Sequence, residues 1–331
     1  MINDNNEKYL TFDTVKIKCN YKYLINKYIK FNETYNHKTG DLTCELYNSK
    51  DDSQIPYNLF IAVSYTQKTL TLEFSSKVLL QDYPKLISKY TIRQCLENIN
   101  KLRICELDIE SILSTGCFTR LDVTTDKELL LTESVLDSLS TSVKNYKRFK
   151  WSHYENEGIT FTKDVKSIDC KESITLYNKG KELMNKANNN QFLNLLPNRN
   201  EVCDYFRNKT RFEIKLSTQD KIKSYLSVSD TKILSVLNSK ANPIQFQFKQ
   251  VFGSAIKVKP EYNFSNYDDY CMSLIIESNN YDMKLVDQKV RSLFSRTGYY
   301  ERKKKLDAVY ERMRGSESDD TIEKILSLLS L

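Results

Sequence analysis

The sequence predicts an α+β protein with a central, mostly antiparallel sheet, helices on one face of it, and a mainly helical C-terminal region. Three observations carry this expectation. Four separate segments alternate apolar and polar residues with the period of a strand. Helical spacing separates them in 82–102 and again in 126–146. From about residue 230 the pattern turns mainly helical. The predicted organisation is therefore one domain over 1–230 and a helical region over 231–331.

The elements follow in order. "LTFDTVKIKCN" (10–20) alternates and opens as a strand, "GDLTCELYN" (40–48) is a second, and "IPYNLFIAVSY" (55–65) a third extended segment. "KTLTLEFSSK" (68–77) is a stronger strand. In 82–102, Ile87, Tyr90, Cys95, Ile99 and Leu102 lie near one helical stripe. "CFTRLDVTTD" (117–126) is the next strand, and 126–146 reads as a helix. "GITFT" (158–162) and "ESITLYNKG" (172–180) read as a strand pair. "KELMNKANNN" begins as a helix and runs out into an Asn-rich loop. "KTRFEIKLS" (209–217) is the last strong strand, and Ser217 or Thr218 caps the helix after it. Segment 283–314 reads as one or two helices interrupted near Gly298. The chain closes on an amphipathic helix with Ile322, Ile325, Leu326 and Leu329 on one side.

Composition narrows the chemistry. The 331 residues are 40% hydrophobic and 11% aromatic, enough for a sizeable core. The net charge of +7 is compatible with a polyanionic partner. The eight cysteines form no CxxC, and the polar start "MINDNNEKY" lacks the pattern of a secretory leader, so reduced thiols and a cytoplasmic location are expected. No apolar run approaches the roughly 20 residues of a membrane span. The two histidines, His37 and His153, cannot form an HxH metal pair, no GxSxG elbow accompanies either, and no phosphate-binding GxxxxGK[ST] loop occurs.

The alternating strands share one design. Leu70, Leu72 and Phe74 oppose Thr71, Glu73 and Ser75; Leu121 and Val123 oppose Arg120, Asp122 and Thr124. Ile174 and Leu176 oppose Thr175 and Tyr177; Phe212, Ile214 and Leu216 oppose Arg211, Glu213 and Lys215. In one sheet, Glu73, Asp122, Tyr177 and Glu213 would share a face, with the Asp122 and Glu213 carboxyls within a metal's reach. Clustered carboxylates repel unless a cation lies between them, and their hard oxygens suit Mg²⁺ or Mn²⁺. Arg120 and Arg211 would orient the acids or contact phosphate, and a deprotonated tyrosine is a nucleophile toward phosphorus. The same alternation also marks any antiparallel sheet with one solvated face.

"CFTRLDVTTDKELLL" (117–131), "SITLYNKGKELM" (173–184) and "KTRFEIKL" (209–216), in this order, resemble the signatures of rolling-circle replication initiators. The similar groups are the plasmid initiation factors of the Rep_trans type, which include conjugative-element relaxases, and the phage and plasmid replication proteins of the gene II/X type. "FDTVKIK" (12–18) and "TLEFSSKVLL" (71–80) fit the same pattern, so the resemblance covers roughly residues 10–217.

The resemblance implies an enzyme, a metal-dependent endonuclease and strand transferase. It nicks one strand at an origin and stays joined to the 5′-phosphate through a tyrosine. It places the nucleophile at Tyr177 and the metal-binding acids at Asp122, Glu213 and, less directly, Glu73. A second acid expected two residues after Glu213 is replaced by Lys215. Lys179 and Lys181, just after Tyr177, would stabilise the phenolate or bind the scissile phosphate. Origin DNA is the implied partner, with a host helicase and a second copy of the chain as further ones.

In the tail, Leu306, Val309, Tyr310 and Met313 form an apolar side, while Lys303, Lys304 and Lys305, with Arg312 and Arg314, offer charge to a DNA backbone. A solvated helical face has the same pattern. Tyr299 and Tyr300 are a rival tyrosine pair, read as packing or DNA-stacking residues. The alternative reading of the whole chain is an initiator that binds an origin without catalysis.

Overall fold

The computed structural model describes residues 10–52, 54–143, 149–154, 157–163, 172–185, 187–252, 264–279, 283–313 and 320–330. Arg314, named above as a basic tail residue, and Cys170 lie outside them. In chain order the strands are β1 (Phe12–Asn20), β2 (Leu24–Lys27), β3 (Asn32–Tyr35), β4 (Leu42–Asn48), β5 (Leu59–Ser64), β6 (Thr69–Ser75), β7 (Cys105–Leu107), β8 (Cys117–Glu128), β9 (Phe149–Tyr154), β10 (Gly158–Lys163), β11 (Ser173–Asn178) and β12 (Lys209–Leu216). The helices are α1 (Ile92–Lys101), α2 (Ile109–Thr115), α3 (Glu133–Val143), α4 (Lys179–Asn185), α5 (Ala187–Asn194), α6 (Arg199–Phe206), α7 (Gln219–Leu226), α8 (Ile233–Leu237), α9 (Pro243–Phe252), α10 (Tyr267–Ser278), α11 (Met283–Arg291), α12 (Arg296–Met313) and α13 (Asp320–Ser330). The chain is α+β, built on a large, mostly antiparallel sheet, with helices concentrated toward the C-terminus.

The chain groups into two compact units. The first comprises 1–130 and 175–244, the second 131–174 and 245–331. The chain therefore does not divide once near 230. Residues 131–174 belong with the tail because their apolar groups pack there: Phe161 of β10 stands edge-on to Phe252 of α9, with ring centres 4.9 Å apart. Periodicity cannot reveal such a distant pairing.

In the first unit the strand order is β3-β4-β5-β6-β1-β8-β12-β11. The apolar faces read from the sequence are the core: Val15, Ile17, Leu70, Leu72, Phe74, Leu121, Val123, Phe212, Ile214 and Leu216 are all buried. Burying side chains of this size stabilises by roughly 1.5–3 kcal/mol each. Thr218 caps α7, accepting from the Lys221 amide at 3.3 Å. In the second unit, Met272, Ile276, Val286, Val290, Leu306, Val309 and Met313 join α10, α11 and α12 in one core, so the apolar side of the tail helix is where its sequence put it.

Local expectations fail where turns intervene. The helix expected over 82–102 begins only at Ile92, because Ser76–Lys85 is two 3₁₀ stretches broken at Leu80, whose φ is 53°, with Pro84 in the second and Leu86, φ 56°, closing it. Tyr90 accordingly leaves the apolar stripe and is exposed. β8 continues through residue 128, which shortens the following helix to Glu133–Val143. The Asn-rich stretch after Met184 is helical, as α5. Strand β9 was not anticipated; it pairs with β10 as a hairpin. The expected link between β10 and the next strand segment is also present, with the Lys163 amide donating to the Glu172 carbonyl at 2.8 Å.

Gly180 opens the helix that follows Tyr177, and it does so against another backbone. A Cβ there would stand 2.8 Å from the Phe206 carbonyl oxygen and 3.2 Å from the Arg207 Cα. Gly180→Ala should therefore destabilise the first unit by about 1–3 kcal/mol, read as a lower denaturant midpoint at unchanged slope. An unchanged midpoint would contradict this packing.

Candidate active site

Register places the polar side chains. On β1, Lys16 lies opposite both Glu73 and Arg120, and Thr14 opposite both Ser75 and Asp122. Across β8 and β12, Asp122 faces Lys215, Thr124 faces Glu213, and Asp126 faces Arg211. Paired residues project to the same side of a sheet, so these groups share one face, as the alternation predicted. A register shift between Phe12 and Thr14 adds one residue on β1. This bulge lets Phe12 enter the core while Asp13 reaches the polar face.

Arg211 is the centre of one end of that face, and it is 0% exposed. Its Nε and Nη2 donate to the two oxygens of Asp126 at 2.8 and 2.9 Å, and its Nη1 to Asp13 at 2.7 Å. The Tyr83 and Phe206 rings lie 5.8 and 5.5 Å from the guanidinium carbon, so aromatic side chains roof the polar face here. Burial opposes the charge, but Asp126, Tyr83 and Asp13 hold Arg211 protonated far above its ordinary range. Arg211 has the geometry of the first of the two roles expected of it, orienting acids rather than contacting phosphate. It is buried away from any phosphate and holds two acids in place.

Arg120 organises the next acids. It grips Asp122 through Nε and Nη2 at 3.3 and 3.0 Å, and Nη1 donates to Glu73 at 3.2 Å. Lys16 meets the other Glu73 oxygen at 3.2 Å. Both Glu73 oxygens are thus taken by cationic side chains, as both Asp122 oxygens are by Arg120. Asp122 is buried, and burial raises its pKa despite the opposing pull of Arg120.

Tyr177, next to last in β11, is 4% exposed, and its hydroxyl donates to Glu213 at 3.4 Å. Burial, then the nearby Glu213 charge, pushes the phenol well above its usual value. Glu213 itself is pushed up to about 7 by burial and by Asp13 and Asp122. Its nearest cation, Lys215, stands 3.9 Å away and is 56% exposed, a weak counter-charge. Lys179 is buried, pairs with Glu182 at 2.5 Å, and lies 5.7 Å over the Tyr177 ring and 5.6 Å over that of Tyr83. Burial works against its charge, but Tyr83, Glu182 and Asp13 raise its pKa. Glu182 is pushed down to about 2 by Lys179, against burial.

The first unit thus brings together Tyr177, Glu213, Asp122, Arg120, Glu73, Arg211 and Lys179. Lys181 is exposed on α4. Lys303, Lys304 and Lys305 belong to α12 of the second unit, where Lys303 pairs with Asp287 at 3.2 Å and the other two are exposed. Tyr299 is buried and donates to Asp287, while Tyr300 is exposed. Sequence reasoning missed Asp13, Asp126, Lys16 and Tyr83. Asp126 was within reach, since it extends the same face as Asp122 by two further alternations. Asp13 was hidden by the bulge, and Tyr83 lies in an irregular segment.

Among the described residues, no three Asp, Glu, His or Cys side chains converge as a preformed ion cage. Asp122 and Glu213 are two buried carboxylates with raised pKa and hard oxygen donors; Arg120 holds both oxygens of Asp122, while Glu213 lacks a close counter-charge. No protein-family model matches this chain, and no curated protein matches it.

The raised pKa of Glu213 has a stability consequence. The folded protein holds a proton on it at pH values where the unfolded chain, near 4.5, has lost it. Its favourable contribution is full below about 4.5 and is lost as pH rises through about 7. Glu213→Gln stays neutral, so between pH 5 and 8 it should gain on the order of 1–3 kcal/mol relative to the wild type. Parallel unfolding free energies at the two pH values would contradict the assignment.

Proposed function

We propose that this chain is a rolling-circle replication initiator, a metal-dependent DNA endonuclease and strand transferase with Tyr177 as nucleophile. The observation that carries the reading is the hydrogen bond from the Tyr177 hydroxyl to Glu213, beside Asp122 on one sheet face. It joins the nucleophile and one of the acids that the resemblance marks. Origin DNA, cut at a single-stranded nick site, is the proposed substrate.

The residues supply a coherent reaction. Glu213 accepts the phenolic proton as the Tyr177 oxygen attacks the phosphorus. A tyrosyl–phosphorus bond forms, the bond to the 3′ oxygen breaks, and that oxygen takes a proton from solvent. Lys179, held protonated over the tyrosine ring, stabilises developing phenolate charge. Arg120 holds Asp122, and Arg211 holds Asp13 beside Glu213. Mg²⁺ or Mn²⁺, held by Asp122 and Glu213, would draw charge from the phosphoryl oxygens. The phosphodiester bond is conserved in the adduct, so reversal reseals the strand. Exposed Lys181, Lys304 and Lys305 are available to phosphates.

A second reading, an origin-binding initiator without catalysis, has one observation in its favour: Tyr177 is only 4% exposed. Incubation of the protein with labelled single-stranded origin DNA and Mg²⁺, followed by a denaturing gel, separates the two. Unaltered protein should form a covalent adduct, and Tyr177→Phe should form none while keeping its DNA affinity within about 2-fold, because affinity rests on backbone contacts elsewhere. An adduct in Tyr177→Phe would move the nucleophile, and tight binding without any adduct would establish the second reading.

A further inference from the structure

The polar face does not end at the acids. Strands β4, β5, β6 and β1 continue it as an open surface, since alternate residues of β5 (Phe60, Ala62 and Ser64) are only half-buried while Leu59, Ile61 and Val63 are core. Register aligns one row across it. Phe60 lies opposite Glu73, Glu73 opposite Lys16, and Lys16 opposite Arg120. The Lys16 ammonium stands 5.8 Å over the Phe60 ring, with the Lys16 side chain 36% and the Arg120 side chain 33% exposed. Lys18, two residues along β1, projects from the same face and is exposed. Beyond Arg120 the face passes to Asp122 and to Lys215 across from it.

We infer that this row is a track for single-stranded DNA, which stacks a base on Phe60 and carries its phosphates past Lys16, Lys18, Arg120 and Lys215 toward Tyr177. The inference rests on the proposed nicking function. Four neighbouring strands at about 4.8 Å spacing put Phe60 and Arg120 roughly 14 Å apart. That span suits a short run of nucleotides. An aromatic ring among lysines is the chemistry that holds a single strand without reading its sequence. Lys16 and Arg120 are paired with Glu73 and Asp122, while Lys18 and Lys215 are exposed and open to phosphates along the row.

The test measures binding apart from chemistry. Anisotropy titrations of a fluorescent single-stranded oligonucleotide, in EDTA, use the full chain carrying Phe60→Leu, Lys16→Gln with Lys18→Gln, or no change. Leucine keeps the apolar contact, so folding is preserved; thermal unfolding verifies it. Phe60→Leu should weaken binding about 5- to 150-fold, the range of one lost base stack. The double lysine variant should reduce the slope of log affinity against log salt by roughly 1.4, about 0.7 per released counterion. Wild-type affinity and slope in both variants, in a protein that still forms the adduct, would overturn the track and leave the nicking function standing. Variant-sensitive binding without an adduct would keep the track and remove the nicking function. A preference for duplex of the same sequence would also overturn the track.

Discussion

A single fully buried arginine orders the polar half of the first unit. Arg211 satisfies Asp126 and Asp13 at once, and Tyr83 and Phe206 seal it from water. An ion pair in such a place is stable only when all partners are present, and removal of one partner typically costs about 3–5 kcal/mol. Three distant stretches are therefore locked together: the bulge of β1, the end of β8 and the start of β12. The same lock sets the electrostatics. Arg211 balances Asp13 and Asp126, and Arg120 with Lys16 balances Glu73 and part of Asp122. Glu213 is left with little counter-charge of its own.

That imbalance links the architecture to the proposed chemistry. A carboxyl whose pKa lies near 7 is able both to accept a proton and to hold a cation, depending on what approaches it. It accepts a hydrogen bond from Tyr177, next to last in β11 and two residues before α4 begins. Gly180 allows that helix to start against the carbonyl end of α6, so the position of Tyr177 depends on a residue without a side chain.

Much of this was legible in the sequence, because strand alternation maps directly onto faces. The apolar sets of β6, β8, β11 and β12 are core, and Arg120, Asp122, Glu213 and Tyr177 do share a face. What escaped depends on partners far along the chain. Alternation gave Arg211 the same standing as Arg120, and only the rings of Tyr83 and Phe206 make one buried and leave the other half-exposed. Asp13 escaped because a bulge breaks the period that would have placed it. The grouping of 131–174 with the tail escaped because it rests on packing such as Phe161 on Phe252.

The central proposal is that Glu213, short of positive charge, and Asp122, held by Arg120, together take a divalent cation. Electron paramagnetic resonance of Mn²⁺ tests it most directly, since free Mn²⁺ gives a sharp signal that binding removes. The account predicts about one Mn²⁺ held per chain at pH 8, near-complete loss of that binding in Asp122→Asn and in Glu213→Gln, and little change in Glu73→Gln. Binding that survives both substitutions, or wild-type protein that takes up no Mn²⁺, would contradict it.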